Sequence, residues 1–292
     1  MIFSKWIQFL MLSAVCIATT TTMHCKTIVL FGSSCAGKST LAKALKAKLG
    51  ESTLIEHYDT FRRDFLLSEG KRLGLLPDFY DAPTGMQILK DLYAAVSDST
   101  LSADDQSAKR AELAACEQNL ESLFYKHIAR LSAEQTVILD AFVIKDHQLE
   151  ALQKHLSEDC LKVFVHIPLN RIPERVASRN ATRSAAETRG INRVLCFYPL
   201  HYQAIPCDSA SPEAISVTLI QEIVENSKSL FQEDKIPTRD ELVGSMTRKF
   251  CIDEATTYVK LVPRWPHDLI VNTGDFTPDR CAQIIIEHLR PS

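Results

Sequence analysis

The segment Gly32-Ser33-Ser34-Cys35-Ala36-Gly37-Lys38-Ser39-Thr40 constrains this chain more than any other, because it satisfies the pattern G-x-x-x-x-G-K-S/T. Such a segment binds phosphate only when a strand delivers it and a helix follows it. The glycines let the backbone curl, and the helix N-terminus aims partial positive charge at an anion. Both flanks fit. Thr27 to Phe31 is rich in Ile, Val and Leu, and Leu41, Ala44, Leu45 and Leu49 recur at helical spacing. Each loop position then has an expected task. Gly32, Ser33, Ser34, Cys35, Ala36 and Gly37 cradle phosphate, Lys38 spans the β- and γ-phosphates, Ser39 ligates magnesium (Mg2+), and Thr40 reaches the α-phosphate. The expected cofactors are ATP and Mg2+.

Beyond the loop, short apolar runs alternate with longer helical patterns, the signature of parallel strands joined by helical crossovers. Five strands are expected: Thr27 to Phe31, Thr53 to Tyr58, Thr136 to Asp140, Leu161 to Ile167 and Asp268 to Thr273. Helices are expected at Ser39 to Lys48, Lys145 to Leu156, Pro173 to Thr182 and Pro278 to Leu289. The fold class is therefore α/β, a P-loop NTPase/kinase fold with a five-stranded, mostly parallel sheet flanked by helices. One domain over residues 23–292 suffices, with helical inserts at about 68–131 and 207–262. The first insert carries amphipathic patterns at Thr84 to Val96 and Asp104 to Ala129; the second reads as mostly helical, at Pro212 to Phe231.

A formal charge of -3, from 33 basic and 36 acidic residues mixed along the chain, argues against nucleic acid as a partner. Nine cysteines form no C-x-x-C pair and no zinc-site spacing, which suits buried thiols in a reducing compartment. Residues 1–22 pull the other way. Lys5, the apolar run Trp6 to Ala18 and the small residues Thr19 to Thr22 follow the grammar of an export signal. Two readings stay open, a cleaved signal or an extension upstream of a cytoplasmic chain that starts at Met23. In neither does the mature chain keep a stable membrane span, and the oligomeric state is open.

Phosphoryl transfer needs a group that takes the acceptor's proton and a carboxylate near the metal, both at the C-terminal ends of parallel strands. Asp59 and Asp140 hold such places, Asp59 for the acceptor hydroxyl and Asp140 for Mg2+. Arg171, Arg175, Arg179 and Arg183 follow the fourth strand at a spacing of four, with Arg189 and Arg193 beyond. On one helical face such arginines neutralise a transferring phosphoryl group. The triplet Asn180-Ala181-Thr182 matches a glycosylation acceptor but sits among these arginines, and is read as coincidence.

The order of these motifs resembles the small P-loop kinases, and most closely the chloramphenicol phosphotransferase-like group. The resemblance rests on Phe31 to Thr40, on Asp59 with Phe61, on Ile167-Pro168-Leu169 through Glu174, Arg175 and Arg179, and on Asp268 to Thr273 with Thr277, Pro278 and Cys281. It covers about residues 26–206 and 262–290. It implies ATP-dependent transfer of a phosphoryl group to a small hydroxylated acceptor, with Asp59 as base and Arg175, Arg179 and Arg183 in a closing lid. Two departures bear on the acceptor: the inserts are long, and Ala141 follows Asp140 where a second acid is common in the group. Asp59-Thr60-Phe61-Arg62 also resembles the zeta-toxin kinases, which phosphorylate a nucleotide sugar. A different class, an ATP-driven switch that orders its inserts for a partner, needs neither base nor lid.

Overall fold

Continuous apolar runs form strands here because both faces of the sheet are covered. The computed structural model describes residues 26–81, 84–141, 146–156, 160–183, 188–209, 211, 213–232, 237–253 and 257–290. The signal-like segment and the expected helix starts at Lys145 and Pro212 lie outside them. Strand β1 (Thr27–Phe31) is buried at every residue. Around it β2 (Leu54–His57), β3 (Val137–Asp140), β4 (Cys160–His166) and β7 (Leu269–Asn272) assemble in the order β2-β3-β1-β4-β7. All four pairings are parallel. The expected sheet is confirmed, with β1 as expected and the other four strands trimmed or shifted by one residue.

Helices α1 (Lys38–Leu49) and α10 (Pro278–Leu289) pack on one another, as do α4 (Ala103–Glu134) and α5 (Asp146–His155). Edge-to-face contact of Phe31 with Phe164, centroids 5.5 Å apart, ties β1 to β4. The first insert is helical as expected, built from α3 (Gly85–Val96), capped by the Thr84 hydroxyl, and α4. It also takes in the end of α2 (Tyr58–Arg72), a helix whose mixed pattern gave no periodic signal. Leu66, Leu76, Ile88, Leu92, Val96 and Leu113 form a core of their own, while Leu120, Phe124, Tyr125 and Ile128 further along α4 belong to the main core. One helix thus spans both cores. Gly70 sits at the contact, where an added Cβ would lie 2.5 Å from Leu92 Cδ2.

The second insert is helical over most of the expected stretch, but it is bounded by strands the sequence did not suggest. It opens and closes on an antiparallel pair, β5 (Tyr202–Pro206) and β6 (Val259–Pro263). Within it lie α8 (Val217–Asn226), shorter than expected and capped by the Ser216 hydroxyl, and α9 (Arg239–Lys249), started by a Thr238–Glu241 capping box. Before it come α6 (Ile172–Ala181) and the unforeseen α7 (Ile191–Phe197). Among the described residues no helix is long and apolar enough to cross a membrane.

A 3-10 turn, Tyr198–His201, seats the insert against β4: the Tyr198 hydroxyl donates to Ile167 O at 2.8 Å and its ring stacks on Tyr202 at 4.6 Å. His201 is wholly buried in this turn, and desolvation pushes its imidazole down to about 3. The unfolded chain takes up that proton near pH 6.5, so His201 costs nothing above 6.5 and disfavours folding progressively as pH falls toward 3. Urea unfolding should therefore show wild type losing about 2 kcal/mol more between pH 7 and pH 5 than His201→Gln. Parallel pH profiles for the two proteins would show that His201 is not held neutral.

Candidate active site

The loop between β1 and α1 is fixed by contacts that only glycine permits. Gly32 has φ +143°, and a Cβ there would lie 2.3 Å from Val165 O on β4. Gly37, at φ +86°, turns the chain into α1 in the left-handed region. Cys35 is also left-handed, at φ 66°, the kind of outlier that clusters at binding loops. Lys38 folds over the loop, with Nζ donating to Gly32 O at 2.9 Å and Ser33 O at 3.1 Å. Burial pulls its ammonium below the usual lysine value, opposed by the nearby charges of Asp140 and Asp59.

Ser39 and Thr40 are exposed at the start of α1. The Ser39 hydroxyl donates to Asp140 Oδ2 at 2.6 Å, and His57 Nδ1 shares a hydrogen bond with the same oxygen at 3.2 Å. His57 and Asp140 are register partners on adjacent parallel strands, so their side chains leave the same face. Burial alone would raise the Asp140 carboxyl. The His57 and Ser39 hydrogen bonds and the Lys38 charge outweigh it and leave the group below the ordinary Asp value. The same bond to Asp140 raises His57 above the usual imidazole value. A serine hydroxyl and a carboxylate at the mouth of a phosphate loop suit magnesium, a hard cation that keeps several waters and needs few protein oxygens.

Asp59 was expected at the end of the second strand; it lies just past it, in the first turn of α2, with an exposed side chain. Its charge acts on both Lys38 and Arg189. The arginine stripe is only partly a stripe. Arg175 donates to Thr273 O, and Arg179 Nη1 reaches Cys35 Sγ at 3.5 Å. Arg171 turns aside to pair with Glu174 at 3.4 Å. Helix α6 stops at Ala181, so Arg183 lies past its end, exposed, and off the expected helical face. Arg189 takes up the position near the loop, with Nη1 at 3.4 Å from Ser34 Oγ. Burial, then the neighbouring Arg179 charge, lowers the Arg189 guanidinium from its ordinary value.

The model of chloramphenicol phosphotransferase-like proteins matches residues 25–205, well over half of the chain. The chain belongs to this family. No curated protein matches it. Solved structures that match include the shikimate kinase of Aquifex aeolicus, at 15% identity over 90% of this chain and 95% of that one, with a TM-score of 0.31. A sugar kinase from a Janibacter species matches at 11% identity over 80% of this chain and 98% of that one, with a TM-score of 0.32. The chain is thus a kinase of the chloramphenicol phosphotransferase-like family with a P-loop fold. The family match ends inside β5, so the second insert and β7 lie beyond it.

In this family member two residues near the loop had escaped the sequence reading as site residues. No local spacing points to His57, whose partner Asp140 is 83 positions away. Arg189 falls outside the spacing of four. A cheap signal for His57 exists, since strand ends in parallel register bring their last residues together. The loop geometry also makes a prediction about Cys35, which is half-buried beside Arg179, whereas Cys251 is exposed and serves as internal reference. Magnesium-ATP should slow alkylation of Cys35 severalfold and leave Cys251 unchanged, as read by peptide mass spectrometry. Equal labelling of Cys35 with and without nucleotide would remove it from the phosphate site.

Proposed function

We propose that this protein transfers the γ-phosphoryl group of ATP to a hydroxyl of a small-molecule acceptor. One observation carries the reading: an exposed carboxylate, Asp59, stands within electrostatic reach of both the loop lysine and Arg189, and Arg179 and Arg189 themselves contact the loop. A switch needs a phosphate loop but no such carboxylate. In the proposed reaction Asp59 accepts the proton of the acceptor hydroxyl, whose oxygen forms a bond to the γ-phosphorus as the bond to the β-γ bridging oxygen breaks. Lys38 leaves the Gly32 and Ser33 carbonyls to contact the β- and γ-phosphates. Arg179 and Arg189 stabilise the charge spread over the transferring group, the role expected of a closing lid. Arg175, bound to Thr273 O, acts as the lid's anchor on the loop side.

Ser39 and Asp140 would hold Mg2+, which supplies charge neutralisation at the phosphate oxygens when bound. His57 orients the Asp140 carboxylate from the neighbouring strand. The family name suggests chloramphenicol as one acceptor. The long first insert packs against α2, the helix that carries Asp59, and so would line the acceptor side. A panel of antibiotics, nucleosides, nucleotide sugars and simple alcohols, with ADP formation as readout, identifies the acceptor class.

The deciding measurement uses two variants in that assay. Asp59→Asn keeps the shape and one acceptor oxygen but loses the base, so it should bind ATP normally and transfer roughly a hundredfold or more slowly. Lys38→Ala should impair both binding and transfer. Normal transfer by Asp59→Asn would sink the acceptor-site assignment and favour the switch.

A further inference from the structure

The triplet Asn180-Ala181-Thr182, set aside above as a coincidental match, has work of another kind in the fold. The Asn180 amide makes two hydrogen bonds to the main chain of one residue, nine positions on: Nδ2 donates to Arg189 O at 3.0 Å, and Oδ1 accepts from Arg189 N at 3.1 Å. A single amide that holds both backbone groups of a residue fixes where that residue sits and which way its side chain leaves. The neighbouring position tightens the clamp. A Cβ on Gly190 would lie 2.4 Å from Asn192 Oδ1 and 2.8 Å from Gln232 Cγ, so glycine lets the second insert close on the chain directly after Arg189. Asn192 in turn donates to Gln232 O at 3.2 Å and Pro237 O at 3.3 Å. From this clamped backbone the Arg189 side chain reaches Ser34 of the phosphate loop.

We propose that Asn180 is a positioning residue that presents Arg189 to the terminal phosphate of the nucleotide, with Gly190 and Gln232 as the backstop. Helix α6 ends at Ala181, one residue past Asn180, so the amide stands where the helix releases the chain. The Thr182 hydroxyl, donating to Arg179 O at 3.0 Å, occupies a carbonyl at that helix end. Asn180 thereby substitutes for the helical turn that would have carried Arg183 to the loop, and Arg189 is the arginine that arrives. The inference rests on the ATP-kinase reading and deepens it.

A binding experiment tests it without knowledge of the acceptor. Calorimetry with magnesium gives the affinities of the full chain for ADP and for the β,γ-imido analogue of ATP, which retains a γ-phosphoryl group. Arg189→Ala should weaken the imido analogue about tenfold and leave ADP unchanged, as loss of one charge-assisted phosphate contact predicts. Asn180→Ala should do the same, and the double variant should be no weaker than Arg189→Ala, because the two residues act as one unit. Equal weakening of both nucleotides by Asn180→Ala would reveal a merely structural role and overturn the inference, as would independent, multiplied effects in the double variant. If Asn180→Ala does not fold, Asn180→Ser, whose hydroxyl cannot hold both backbone groups, carries the same expectations. Lys38→Ala is the control for the underlying reading: unchanged affinity for both nucleotides there overturns the nucleotide site itself, whereas a loss there with a normal Asn180→Ala overturns only the clamp.

Discussion

A phosphate-binding loop must offer its backbone N-H groups to an anion and yet be held still, so whatever fixes it has to act on its other side. In this chain the fixation is through carbonyls. Lys38 bonds Gly32 O and Ser33 O, and the buried Thr273 hydroxyl lies 2.7 Å from Ala36 O. That hydroxyl also lies 3.0 Å from His166 O, and its one proton serves one acceptor at a time. Close approach of Gly32 to Val165 O presses the loop onto β4. Parallel pairing of β1 with β4 and of β4 with β7 is what brings these groups together. The rest of the site is arranged around a loop whose backbone is held from β4 and from Thr273, and preorganised dipoles of this kind cost no reorganisation during a reaction.

From this frame the two inserts serve different ends of the site. The first builds a separate apolar core and is joined to the main one by the long helix α4. Deleting a wholly buried side chain in either core, such as Leu92 or Phe124, is the kind of change that costs about 2–5 kcal/mol. The second insert leaves and returns through the β5-β6 pair and backs onto the chain at Gly190. One insert packs against the helix that carries Asp59, and the other closes on the chain directly after Arg189.

The loop, the sheet and most of the helices were legible in the sequence because their signals are local. Gly32 to Thr40 is a contiguous pattern, and the central strands β1, β3 and β4 are mostly apolar runs whose burial leaves little polar alternation to confuse them, while the edge strands β2 and β7 are less buried. The α4 pattern was equally plain, though the helix runs past Ala129 to Glu134. Less legible were α2, where apolar and charged residues mix, and the β5-β6 pair, where Tyr202 to Pro206 finds its partner only across the whole second insert.

What the sequence by itself determined was therefore a phosphate loop on a parallel α/β sheet, with Lys38, Ser39, Asp59 and Asp140 near it, because spacing along the chain and strand-end position decide those things. Tertiary structure alone decided which arginines face the loop. A spacing of four pointed to Arg183, but side-chain hydrogen bonds from Asn180 and Thr182 compete with the helix at its last turn, and Arg189 comes in its place. It also decided that His57 shares the oxygen of Asp140 with Ser39, a contact that exists only because β2 pairs with β3 in register. Local periodicity reports the conformation a segment prefers, whereas these contacts depend on which distant segment a strand or a side chain meets.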